Sequence, residues 1–225
     1  MSHGFSISNI RAYGENDPII RGFGKRASVE TYSEFVDALY DDICDAVKYI
    51  SLSPQHFLTE SEDATTNRLM CVLHGKGYRC QQTNAGGNID ITVENITLDY
   101  RWIGEAKKFE SLTNLREGYL QLSTRYIPGT DEDGIGYGGL IAYLRRPDAA
   151  KLMSDWQVEF AKMEAATGCS IHICNRLPGR AFNSEHKHES SGLSFRVWHL
   201  CVQLFHSPKD KSARASAKYG GGNAT

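Results

Sequence analysis

The stretch GNIDITVENITLDYRWIGEAKK, Gly87–Lys108, decides how the chain is read. Ile89, Ile91 and Val93 alternate with Asp90, Thr92 and Glu94. After a turn near Asn95, Leu98, Tyr100, Trp102, Gly104 and Ala106 alternate with Asp99, Arg101, Ile103, Glu105 and Lys107. A period of two along both runs predicts an antiparallel hairpin, because successive strand side chains point to opposite faces. The apolar set of each strand is expected to face the core. Asp90, Glu105 and Lys107 then fall on the other faces, which a hairpin can bring together.

Helical patterns surround this hairpin. Val29, Tyr32, Val36, Leu39, Ile43, Val47 and Ile50 lie on one stripe, and Ser28 is the expected cap of that helix. The stripe predicts a core-packing helix, with a dimer interface as the other reading. A second helix is expected from Thr59, with Glu62 at capping-box spacing and Gly75 and Gly77 as stop signals. A short strand is expected around residues 78–82. Residues 111–126 read as a third helix with Leu112, Leu115, Tyr119, Leu122 and Tyr126 on its apolar side. A buried strand, LIAYLRR, follows a loop with an acidic centre. A helix opening near Pro147 and closing before Gly168 comes next, then strands in CSIHIC and LSFRVWHLCVQLFH. The segment NSEHKHESSG between them reads as a polar loop.

This order predicts an α/β fold with one central mixed β-sheet flanked by helices. Residues 1–27 are expected to form an N-terminal arm, 28–206 a single domain and 207–225 a flexible basic tail. The length, 225 residues, fits one such domain, and 40% hydrophobic content excludes a disordered chain. A formal net charge of −2 excludes bulk charge as the means of holding DNA, so any basic surface must be local. Six scattered cysteines without a CxxC pair, no apolar leader and no window of membrane-spanning length predict a reduced, cytoplasmic protein. No GxSxG elbow or Walker A loop is present. Cys169, His172 and Cys174, or His186 with His188, match the spacing of no common zinc module.

Two acids and a lysine on a sheet suit phosphodiester hydrolysis. That reaction needs a hard divalent cation, a water made acidic by it, and a group that orients the water. Mg²⁺ takes oxygen ligands, commonly one or two carboxylates with phosphate and waters. Asp90 and Glu105 can supply the carboxylates, and the Ala106 carbonyl a third oxygen. Lys107 can hold the attacking water or stabilise charge on the phosphorus centre.

Asp90, followed after a short hairpin by Glu105-Ala106-Lys107 and then a helix, resembles the PD-(D/E)XK signature of the restriction-endonuclease-like superfamily over roughly residues 59–145. Ile89 stands where that signature has proline. The resemblance implies a restriction-endonuclease-like core and a Mg²⁺-dependent endonuclease acting on DNA, with Mn²⁺ as a substitute. A restriction or antiviral defence role is the implied setting. It also implies a metal-reaching Glu on the preceding helix, where Glu62 fits best and Glu60 is a rival, and a Gln on the following helix, where Gln121 fits. Their bland readings are a capping residue and an exposed amide. The alternative function is a catalytically inactive nucleic-acid-binding or protein-interaction module on the same fold.

Expected phosphate contacts are Arg21, Lys25, Arg26, Lys108 and Arg125, with Arg145, Arg146, Arg176, Arg180 and Lys187 as further candidates. The expected partner is double-stranded DNA. A homodimer or higher oligomer is expected because it doubles the basic surface of a near-neutral chain. An activating protein partner is left open, and no membrane partner is expected.

Overall fold

A computed structural model describes Gly14 and residues 17–84, 87–126, 136–163, 169–188 and 192–209. The elements run α1 (Pro18–Ala27), α2 (Tyr32–Ser51), a 3₁₀ turn (Pro54–Phe57), α3 (Glu62–Gly75), β1 (Arg79–Asn84), β2 (Asn88–Glu94) and β3 (Arg101–Lys108). They continue with α4 (Leu112–Gln121), a π-helical turn (Leu122–Tyr126), β4 (Tyr137–Leu144), α5 (Ala149–Met163), β5 (Ser170–Ile173), β6 (Ala181–Lys187) and β7 (Ser194–Gln203). The seven strands form one sheet in the order β1-β2-β3-β4-β7-β6-β5. The inner pairs β3·β4 and β4·β7 are parallel and the outer pairs antiparallel. The fold is therefore α/β with a mixed sheet flanked by helices.

Two cores sit on the two faces of the sheet. Helices α2 and α3 bury Leu39, Ile43, Val47, Leu69 and Leu73 against Ile91, Val93, Trp102, Ala106 and Trp198. Helices α4 and α5 bury Leu115, Tyr119, Trp156 and Phe160 against Ile103, Leu140, Ala142 and Val197. The central strands thus carry near-continuous buried runs, as sheets covered on both sides do. Glu105 is 2% exposed inside one of these runs and not on an open face. The strand face opposite the α2–α3 side, on which Glu105 lies, is covered by the second helical layer of α4 and α5.

Several local expectations shift. Pro18–Ala27, expected within an arm, is a helix capped by the Asp17 carboxylate. Ser28 closes that helix, and Thr31 with Glu34 makes the capping box of α2. The α3 cap is Ser61, two residues beyond Thr59, so Glu62 falls in the first turn and is released from capping. Residues 1–13 and 210–225 lie outside the described residues.

The largest change is β6, which takes up Asn183 to Lys187, half of the stretch expected as a polar loop. Ser184 and His186 point into the α4–α5 core, and both are buried. Trp156 donates its indole N–H to His199 Nδ1 at 3.1 Å, which leaves the His199 proton on Nε2. That proton meets Ser184 Oγ at 2.8 Å, and the Ser184 hydroxyl in turn reaches His186 Nε2 at 2.7 Å. His186 Nδ1 then faces the Tyr119 hydroxyl at 3.4 Å. Burial, with His186 beside it, holds His199 well below the usual histidine range, so the His199 ring is neutral. Polar side chains satisfied this way pack as core, and a polarity pattern hides the strand.

Trp102 fixes the join between β2–β3 and the parallel centre. Its indole lies over Gly104 and Gly139, which are registered opposite each other on β3 and β4. A Cβ at Gly139 would fall 2.4 Å from Trp102 Cζ2. Gly139→Ala is therefore expected to lower unfolding free energy by about 1–3 kcal/mol through overpacking, read as a shift of the urea midpoint. An unchanged midpoint would show that the slot is not tight.

Candidate active site

Strands β2 and β3 pair from Glu94↔Arg101 to Ile91↔Gly104. Between Gln81/Thr83 of β1 and Thr92/Ile89 of β2 the register slips, so β2 carries one extra residue around Asp90 and Ile91. Ile89 consequently joins the α4–α5 core while Ile91 stays in the α2–α3 core. Past Ile91, β3 runs on without β2 beside it, and its edge amides need other partners.

Two acids supply them. Asp90 Oδ2 accepts the Ala106 N–H at 3.0 Å. Glu62, from the first turn of α3, accepts the Lys108 N–H through Oε2. The N–H and C=O of one strand residue project to the same side. The Ala106 carbonyl therefore points along the same edge, between the amides that Asp90 and Glu62 hold.

Glu105 and Lys107 stand on the α4 side of β3, with Lys107 Nζ 2.5 Å from Glu105 Oε1. The other oxygen, Glu105 Oε2, is buried and accepts no hydrogen bond among the described residues. Burial first, then the neighbouring Asp90 and Glu62 charges, push the Glu105 carboxyl up to about 7, against the pull of Lys107. Asp90 and Glu62 are raised too, chiefly by burial. Burial alone would lower Lys107, but the bond to Glu105 and three acidic neighbours outweigh it and hold the ammonium charged. The shifts of the two partners oppose each other, since a charged Lys107 favours an ionised Glu105. The contact at 2.5 Å is that of an ion pair, and the raised Glu105 value reflects what burying its charge costs.

Helix α4 closes over this pair. Gly118 lies against Lys107; a Cβ there would be 2.9 Å from Lys107 Cγ and 3.0 Å from Cε. Asn114 and Gln121 share the Gly118 face, at helical spacings of four and three residues. Asn114 Oδ1 and Gln121 Oε1 are both buried without a donor. Three buried acceptors on β3 and α4 are thus unpaired, and buried polar oxygens of this kind call for a cation or water.

The expected residues divide accordingly. Asp90, Glu105, Ala106, Lys107, Glu62 and Gln121 are gathered where β3 meets α3 and α4. Glu60, the rival of Glu62, is occupied by Arg68 at 2.6 Å and gives its carbonyl to Arg145. Among the expected phosphate contacts, Lys108 stands beside the site. Lys25 is held by Asp37 and Asp41, and Arg26 by Asp42 at 3.0 Å, so these cations tie α1 to α2. Arg21 bonds the Gly14 carbonyl at 3.1 Å, and Arg176 pairs with Asp37 and Asp41. The Arg125 side chain lies outside the described residues.

Asn114 and Gly118 are the residues the sequence reading missed. A glycine inside a helix is disfavoured by about 1 kcal/mol against alanine, so REGYLQ carried a signal that something packs closely there. Asn114 carried none.

The donor set suits Mg²⁺ or Mn²⁺: hard oxygens from Asp90, Glu105 and the Ala106 carbonyl, with Glu62 within reach through water. The unpaired Glu105 Oε2 is the specific point of fit. In the present arrangement the acids hold β3 amides and Lys107, and among the described residues no three His, Cys, Asp or Glu side chains form a ready ligand cage.

Glu105 makes stability depend on pH in a defined direction. Its folded value, about 7, lies above the usual 4.5, so the folded form binds the proton more tightly. That contribution is complete below pH 4.5 and is lost as pH rises through 7. Metal-free protein should be less stable at pH 8 than at pH 5.5 by roughly 2 kcal/mol in urea titrations, and Glu105→Gln should flatten the difference. Mg²⁺ should raise the melting temperature at pH 8 in the parent and not in Glu105→Gln; equal shifts in both would remove Glu105 as a ligand.

Among the described residues, no helix is long and apolar enough to cross a membrane. Compared with protein-family models, curated proteins and solved structures, the chain matches none of them significantly.

Proposed function

We propose that the chain is a metal-dependent nuclease that hydrolyses phosphodiester bonds of DNA, on a core of the restriction-endonuclease-like kind. The observation that carries this reading is the convergence of Asp90, Glu105 and Lys107 where β2 leaves β3, with Glu105 Oε2 buried and unpaired. An ordinary surface ion pair would not need a buried, desolvated carboxylate.

Asp90, Glu105 and the Ala106 carbonyl would hold Mg²⁺. The ion, when bound, draws charge from the phosphoryl oxygens and makes a bound water more acidic. Lys107 Nζ has three donors and spends one on Glu105; the others can fix the attacking water or a non-bridging phosphate oxygen. Gln121 Oε1, buried and free to accept, can take a hydrogen bond from the same water and orient its lone pair. Gly118 keeps the Lys107 stem flat against β3, so the ammonium returns toward Glu105 and does not swing outward. Lys108 adds positive charge at the rim. A dimer or higher oligomer would set two such sites on two strands, and restriction or phage defence, with or without an activating protein, is the setting that the resemblance implies.

The test is cleavage of plasmid, linear and single-stranded DNA and of RNA in Mg²⁺, Mn²⁺ or EDTA. Cutting is expected with metal and lost with EDTA. Glu105→Gln and Lys107→Ala should each lower the rate by at least about a hundredfold, as removal of one transition-state group does, with the fold retained. Metal-independent binding without cutting by the parent would instead favour a non-catalytic module.

Gly118→Ala separates packing from chemistry. Alanine favours the helix by about 1 kcal/mol but meets the Lys107 stem. Stability should change little while the cleavage rate falls by about tenfold or more, since ångström misplacement of a reacting group is costly. Unchanged turnover would show that Lys107 is not held by this contact.

A further inference from the structure

We infer that the substrate strand is unpaired at the cleavage site, and that a nucleobase next to the scissile phosphate stacks on a platform made by Arg146 and Phe109. The inference rests on the nuclease reading above for the position of the phosphate, and on separate observations for the base.

Glu105, Lys107 and Phe109 follow one another on a single face of β3 and its extension. Phe109 packs against the α4–α5 core, as Ile103 does, and its N–H continues the β3·β4 ladder to the Tyr143 carbonyl at 3.0 Å. Two residues of strand separate Lys107 from Phe109, about 6.6 Å. That is comparable to the step from one phosphate to the next in an extended strand. The Arg146 guanidinium lies over the Phe109 ring, 4.5 Å from its centroid. Its side chain also reaches the Glu110 carbonyl at 3.5 Å, and no carboxylate pairs with it among the described residues. Its backbone is pinned: the Arg146 carbonyl accepts Gln203 Nε2 at 2.9 Å, and Pro147 restricts the residue before it to extended conformations. Arg146 is exposed, so its guanidinium is accessible from solvent while it covers Phe109.

An exposed guanidinium held over an aromatic ring suits a nucleobase, which offers a π-face to arginine and a phosphate nearby. Bases inside a duplex are stacked on each other and offer no such face. Duplex DNA would therefore reach the site where it is frayed, gapped or opened. Three of the other cations named as phosphate contacts serve differently: Lys25, Arg26 and Arg176 pair with Asp37, Asp41 and Asp42.

The experiment uses the full chain carrying Glu105→Gln, so that binding is read without cutting. The probe is a single-stranded DNA oligonucleotide containing 2-aminopurine, and the same sequence as a blunt duplex. Expected are tighter binding of the single strand, by about tenfold, and quenching of 2-aminopurine fluorescence on binding. Adding Arg146→Lys, which keeps the charge and removes the plane, should weaken single-strand binding by about tenfold and abolish the quench, with duplex binding little changed. Phe109→Leu should act in the same direction while preserving the apolar packing. Equal affinity for duplex and single strand, or an unchanged quench in Arg146→Lys, would overturn the inference. Cleavage that depends on metal and Lys107 but ignores Arg146→Lys would overturn the inference and leave the nuclease reading standing. Quenching lost in Arg146→Lys without any metal-dependent cleavage by the parent would support the platform and remove the nuclease reading.

Discussion

The separation of β2 from β3 after Ile91↔Gly104 is the constraint from which the site follows. A strand that loses its neighbour exposes a row of amides that must be paired, because a buried unpaired N–H costs a few kcal/mol. Here two carboxylates take those amides, Asp90 from the departing strand and Glu62 from the helix before it. The same requirement that keeps β3 folded therefore draws two acids to its edge. Glu105 is added from β3 itself, and Lys107 holds it in place. Three negative groups at a sheet edge repel one another and one cation offsets this only in part, which is why burial and the neighbouring acids together raise the Glu105 carboxyl.

Much of this was legible in the residues between Gly87 and Lys108. The alternation gave both strands and their antiparallel pairing, and it put Glu105 and Lys107 on one face. Glu62 and Gln121 were reached only through the resemblance, which implies a Glu on the helix before the hairpin and a Gln on the helix after it. What the alternation could not give was the layer count. Ile103 and Glu105 lie on the same face, and only a second pair of helices makes that face interior. The bulge at Asp90 was also silent, since period two reads straight through a single extra residue.

The failures at Asn183–Lys187 and at α1 have a common cause. Pattern reading treats polar side chains as solvent-facing, but a polar group with a fixed partner packs as apolar groups do. Ser184, His186 and His199 satisfy one another between Trp156 and Tyr119. On α1, Arg26 meets Asp42, which is 4% exposed and also binds Lys76 at 2.7 Å and the Tyr78 hydroxyl at 2.8 Å. Basic residues beside glycines looked free for phosphate, and they were the pins of a helix pair. Isolated cations in a sequence do not reveal whether an acid twenty residues away has already claimed them.

The distribution of charge bears on how a chain of net charge −2 would, on the proposed nuclease reading, attract a polyanion at one place. Most described cations near α1 and α2 are neutralised within the fold, so their field at distance is small. Lys108 and Arg146 stand at the C-terminal ends of the parallel strands β3 and β4. In open α/β sheets, ligands bind outside the carboxyl ends of the strands. Local positive charge beside a buried acidic cluster has a further consequence. A phosphate drawn to the rim meets acids that repel it unless a divalent cation lies between. On the proposed nuclease reading, metal and substrate would then bind cooperatively, each lowering the electrostatic cost of the other, and the acids whose charge is costly to bury without metal would be the groups that select a phosphodiester.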